Sequence, residues 1–98
     1  MIRGTTPTHY FYLPFGREIV ASLDICYAQK DKPVLVKSLT DCTYEGNTVS
    51  VKLKPEDTLL FTAHRCVEVQ VRVHTLGGEV LMSDVVRVSC EKCLFDGV

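Results

Sequence analysis

The chain lacks an excess of charge of either sign: eleven basic residues stand against twelve acidic ones, a net charge of −1. Nucleic-acid binders usually draw most of their affinity from a basic face laid against phosphates, so this balance argues against nucleic acid as the partner. Long apolar runs are missing too. No stretch approaches the ~20 apolar residues a membrane-spanning helix needs, which argues against a membrane protein. Met1-Ile2-Arg3-Gly4-Thr5-Thr6-Pro7 has no apolar segment of the kind a secretory signal carries. Neither G-x-G-x-x-G nor G-x-x-x-x-G-K-[ST] occurs, so the two common glycine-rich phosphate cradles are excluded. Without repeats, low-complexity stretches or a shift in composition, residues 1–98 read as one domain, with 1–7 as an N-terminal arm and 90–98 as a C-terminal tail.

Cysteine occurs in an odd number: Cys26, Cys42, Cys66, Cys90 and Cys93. With no secretory signal, that is the expectation for free thiols in a reducing compartment, and so for a cytoplasmic protein. Cys90-Glu91-Lys92-Cys93 has the spacing at which two thiols chelate zinc or cycle as a dithiol. A structural zinc site usually takes two such pairs, and no second one exists. Cys42, Cys66 and His64 would complete a ligand set only through the accidents of folding. A redox dithiol opens a helix in a βαβ setting, where the helix end lowers a thiol pKa. This pair instead follows a strand-like segment, so ordinary thiols are expected there, with no metal and no cofactor.

What is present, above all, is alternation of apolar and polar residues, the period of a half-buried strand. In Val67-Glu68-Val69-Gln70-Val71-Arg72-Val73-His74 the valines face one way and Glu68, Gln70, Arg72 and His74 the other. A helix would scatter those valines, and β-branching favours strand. Thr48–Leu53 repeats the pattern, and Ala21, Leu23, Ile25 and Tyr27 share a face of a third segment. Softer strand candidates are His9–Leu13, Pro33–Ser38, Thr40–Tyr44 and Val80–Ser89, the last blurred at Ser83-Asp84-Val85-Val86 as a bulge would blur it. Glu45-Gly46-Asn47, Leu76-Gly77-Gly78-Glu79 and Gln29-Lys30-Asp31-Lys32 read as turns. Only Lys54–Leu60 suggests helix, a turn or two led by Pro55, Glu56 and Asp57. The expected fold is an all-β, antiparallel, immunoglobulin-like sandwich of about seven strands, with one short helical turn near residues 55–60.

No set of catalytic residues assembles. His64-Arg65-Cys66 brings an imidazole and a thiol close in sequence, but nothing supplies an oxyanion hole or an orienting third group. His74 ends the polar face of the valine strand, where the expectation is a solvated imidazole. The carboxylates Asp24, Glu56, Asp57 and Glu68 suit strand faces and a helix start. The expectation is that the protein is not an enzyme. Two surfaces stand out as candidates for contact with a partner. One is the aromatic strand, where Tyr10 and Tyr12 lie opposite Phe11; the other is the polar strip Glu68, Gln70 and Arg72. Interfaces are enriched in aromatic residues, and an edge strand is a template for another chain.

The opening Met1–His9, followed by Leu13-Pro14-Phe15, resembles small uncharacterised proteins encoded among phage and prophage genes of Gram-positive gut bacteria. Tyr27-Ala28-Gln29, Asp41-Cys42-Thr43, Glu45-Gly46-Asn47-Thr48, Val51-Lys52-Leu53 and Gly77-Gly78-Glu79 share in that likeness. The overall plan also resembles the N-terminal β domain of phage baseplate proteins. The resemblance implies a phage-related structural or assembly module working through protein–protein contacts, either with its own copies or with other phage structural proteins. Its place would be the host cytoplasm or the virion. Two alternatives stay open: a free-standing binding or accessory domain unrelated to a virion, and a small enzyme or zinc/redox protein using Cys90 and Cys93.

Overall fold

The alternating valines become the strand around which the molecule is built. The computed structural model describes residues 1–94, in which the strands are β1 (Thr8–Tyr12), β2 (Val20–Gln29), β3 (Lys32–Ser38), β4 (Cys42–Glu45), β5 (Thr48–Lys52), β6 (Val67–Thr75), β7 (Val80–Met82) and β8 (Val86–Val88). The single α-helical turn, α1, spans Pro55–Thr58. One antiparallel sheet has the order β1-β5-β4. The other runs β3-β2-β6, and both β7 and β8 extend it by pairing with β6. The architecture is the all-β sandwich that the sequence predicts, and no described helix is long and apolar enough to cross a membrane. Strand β2 sits between β3 and β6, so the larger sheet takes the hairpin partner of β3 and the smaller sheet is left with three strands.

The two inner faces supply one core. Leu23, Ile25 and Tyr27 of β2, Val67, Val69, Val71 and Val73 of β6, and Val49 and Val51 of β5 join Leu53 and Phe61, all at 3% exposure or less. Each such side chain is worth ~1.5–3 kcal/mol when fully buried. Across β6, Glu68, Gln70 and His74 are half-buried and Arg72 is exposed. The alternation therefore reports the sheet's two faces.

Three local expectations change. Ala21 does not join the inner face; it is exposed and Val20 is buried. Val20 pairs with Thr75 while Ser22 pairs with His74, so Ala21 is an extra residue whose bulge turns Val20 inward. Thr40 and Asp41 lie in a 3-10 turn, Leu39–Asp41. The Asp41 carboxylate accepts hydrogen bonds from the Ser38 amide (3.0 Å) and hydroxyl (3.1 Å), closing the turn before β4 begins. Finally, the expected last strand is divided. Val73 pairs with Leu81 but Val69 with Val86, a slip of one residue that marks a bulge at Ser83-Asp84-Val85. Ser83 repairs the ladder there: its amide donates to the Val71 carbonyl and its hydroxyl accepts the Val71 amide, both at 2.9 Å.

The turns fall where the sequence places them. Lys30 and Asp31 carry φ of 50° and 62° between Gln29 and Lys32, the pair of positive φ values that lets a two-residue hairpin follow the strand twist. The N-terminal segment is tied down. The Arg3 amide donates to the Glu91 carbonyl, and the Thr58 hydroxyl accepts the Gly4 amide (2.9 Å) while donating to the Thr5 carbonyl (3.0 Å). Of the expected tail 90–98, residues 95–98 lie outside the described residues.

Candidate functional site

Strand β1 is an edge: among the described residues it pairs only with β5. The Leu53 amide donates to the Pro7 carbonyl and the Leu13 amide to the Asn47 carbonyl, so the odd-numbered residues of this stretch bond towards β5. By the alternation of an antiparallel ladder, Thr8, Tyr10 and Tyr12 then aim their backbone N–H and C=O groups outward. The same residues put their side chains on the outer face, where Tyr10 is 60% and Tyr12 80% exposed. No charge or proline interrupts Thr8–Tyr12, although edge strands are commonly guarded by them. The contrast with β3 is plain, since that edge carries Lys32, Pro33 and Lys37 and a register shift against β2.

The sandwich is open on this side. One sheet has three strands, while the other has four ladder positions because β7 and β8 share one beside β6. At the opposite side the short turn Leu39–Asp41 carries the chain straight from β3 to β4. At the open side two cavities follow β1. One, of about 320 Å³, is lined by Tyr12, Leu13, Phe15, Val73, Leu81 and Met82 among others. The second, of about 250 Å³, lies among His9, Tyr10, Phe11, Val69, Val86 and Val88. Leu81 and Val86 oppose the buried Val73 and Val69 across the ladder and so face inward, yet they are 38% and 53% exposed because none of the described residues covers them.

Among the described residues His9 is the one imidazole at this groove, and no carboxylate, lysine or arginine lines the two cavities. Its Nδ1 and the Tyr27 hydroxyl share a hydrogen bond of 2.7 Å. Burial lowers the His9 pKa below its ordinary 6.5 and raises that of Tyr27 well above the ordinary phenol value, so both groups are neutral at pH 7. The folded His9 pKa lies below the unfolded one. Its contribution to stability is therefore complete above pH 6.5 and is lost as pH falls through the lowered folded value. Urea midpoints measured from pH 7 down to about 5 should decline. They should decline less steeply in His9→Gln, which keeps a hydrogen-bonding side chain but cannot titrate.

The polar strip is placed differently. Glu68, Gln70 and Arg72 lie together on the outer face of β6, an interior strand, and each is already engaged. Arg72 pairs with Asp24 at 2.9 Å, Glu68 with Arg87 at 3.5 Å, and the Gln70 amide donates to the Ser83 carbonyl at 2.9 Å. Such pairs satisfy one another on the wet face of a sheet and offer a partner no free backbone.

The cysteines do not converge. All five are unpaired thiols, and among the described residues no three His, Cys, Asp or Glu side chains stand close enough to share a metal. Cys90 is buried and Cys93 half-buried; His64 and Cys66 share a shallow cavity of about 380 Å³ with Cys90, where the His64 amide donates to the Cys90 carbonyl. Burial raises the Cys90 and Cys42 pKa values, and Cys66 alone is exposed. A thiol reagent at neutral pH should modify Cys66 first and Cys90 among the last, with all five reacting once the chain is unfolded. Mass mapping over time reads that order.

Sequence reasoning singled out Tyr10 and Tyr12 as candidates through the aromatic run beside a proline. It missed Leu81, Met82 and Val86, whose sequence signal is only that Val80-Leu81-Met82 carries no charge. Compared with family models, curated proteins and solved structures, the chain matches none.

Proposed function

We propose that this chain is a non-enzymatic protein-binding module, a structural or assembly component of the phage-related kind its resemblance implies, which takes its partner at the edge strand β1. One observation carries the reading. Thr8, Tyr10 and Tyr12 combine outward-facing backbone donors and acceptors with exposed aromatic rings on an uncharged strand. Backbone groups supply affinity by strand addition, and the alternate side chains supply area and selectivity. A specific contact buries ~1,200–2,000 Å² in total, about half of it from each partner, against a whole accessible surface of 6137 Å² for this domain, so association should raise measured stability. Among the described residues the groove is lined by a neutral histidine and no charged side chain, which supports a docking surface over an acid–base site. The immunoglobulin-like description belongs to this proposal too, as a scaffold that presents an edge.

The test is solution mass across a concentration range, alone and mixed with the products of adjacent genes. A complex that is lost in Tyr10→Asp/Tyr12→Asp supports the reading. A wild-type chain that stays monomeric, binds none of them and turns over a substrate in an activity screen refutes it.

A further inference from the structure

We infer that the open side between β1 and β7–β8 is a vacant strand position, and that its occupant is a single extended segment of a partner with apolar residues at alternate positions. The inference rests on the protein-binding reading and names what binds. Its first support is the unequal strand count, three against four ladder positions. A strand hydrogen-bonded to the outward groups of Thr8, Tyr10 and Tyr12 would extend the shorter sheet over β7–β8, covering the inward-facing Leu81 and Val86 that are now exposed. The second support is electrostatic. Apart from His9, which burial keeps neutral, the cavity linings are uncharged: Phe11, Leu13, Phe15, Leu81, Met82, Val86 and their neighbours. The inward side chains of the added strand must therefore be uncharged too, because a charge placed there would be desolvated without a partner.

The third support argues against a second folded copy paired β1 to β1. Pairing β1 with β1 of another molecule in one continuous antiparallel sheet would put both larger sheets on the same side. Each overhanging β7–β8 would then collide with the other copy. A lone strand has no second sheet and meets no such obstacle. Rings and backbone divide the work: the outward groups of Tyr10 and Tyr12 would hold the segment, and Leu81, Val86 and Val88 would select its inward side chains.

The probe is a short peptide alternating valine with threonine between terminal lysines, titrated into the full chain and followed by residue-resolved NMR. The expected result is saturable binding with shifts concentrated on β1, β7 and β8. Affinity should fall at least tenfold in Leu81→Lys and Val86→Lys, and equally when the peptide is N-methylated at alternate backbone nitrogens with its side chains unchanged. Amide spectra of each variant establish that it is folded; Val86→Thr serves as the milder second variant if lysine is not tolerated. Absence of binding, or binding indifferent to N-methylation, overturns the vacant-strand inference. So does self-association through Tyr10 and Tyr12 that the peptide cannot displace. That last outcome would leave the protein-binding reading standing, so the two failures are distinguishable.

Discussion

Tyr27→Ala should lower the stability of the folded chain by about 3–5 kcal/mol, the cost usual for deleting a large buried aromatic side chain. Tyr27 is fully buried at 0% exposure and joins parts of the fold that share no ladder. Its ring stands 6.0 Å from that of Phe61, beyond α1, and 5.6 Å from that of His9 on β1. Its hydroxyl holds His9 Nδ1 at 2.7 Å. Alanine would open a cavity between the sheets and leave the imidazole without its partner. Against a total stability of ~5–15 kcal/mol for a domain of this kind, that is a large fraction. With urea m-values of ~1–3 kcal/mol per molar, the midpoint should fall by roughly 2 M. Tyr27→Phe separates the terms, since it keeps the ring and removes only the hydrogen bond, at a cost of ~1–3 kcal/mol. A Tyr27→Ala midpoint within experimental error of wild type would show that the two sheets are not joined through this ring.

The reverse pattern is expected for Tyr10→Asp/Tyr12→Asp. At 60% and 80% exposure these rings contribute little to folding, and surface substitutions of this sort usually change stability by no more than ~0.5 kcal/mol. Binding should suffer far more. Central interface aromatics cost ~2 kcal/mol or more when truncated, a factor of about thirty in affinity. Aspartate adds the burial of a charge in an apolar contact. A partner dissociation constant raised thirtyfold, with an unchanged urea midpoint, is the expected result. Equal loss of stability and binding would mean that the rings support the fold and that the partner contacts another surface.

The strands were legible because burial imposes a period that side chains record. Val67, Val69, Val71 and Val73 repeat it cleanly, and that strand is the centre of the larger sheet. The positions that misled are those where one residue too many enters a ladder. Ala21 continues the alternation with Leu23 and Ile25 on paper, but a bulge breaks the period and gives its place to Val20. The blur at Ser83–Val86 was readable as a bulge because polar residues interrupt the valines there. Pairing between distant strands was not readable at all. That β2 would lie between β3 and β6, leaving the sheet of β1 one strand short, depends on non-local contacts that no local pattern encodes. Half of the candidate site follows from Tyr10 and Tyr12 in sequence. The other half, Leu81 and Val86, becomes visible only when β1 and β7–β8 are seen to border the same opening.

Residue-resolved amide hydrogen exchange reads the free edge of β1 group by group. In the free chain the amides of Tyr10 and Tyr12 should exchange rapidly while those of His9 and Phe11, bonded towards β5, are protected. On forming a complex, the Tyr10 and Tyr12 amides should become as slow as their neighbours. Protection of all four amides in the free chain, or a complex in which Tyr10 and Tyr12 still exchange rapidly, would contradict it.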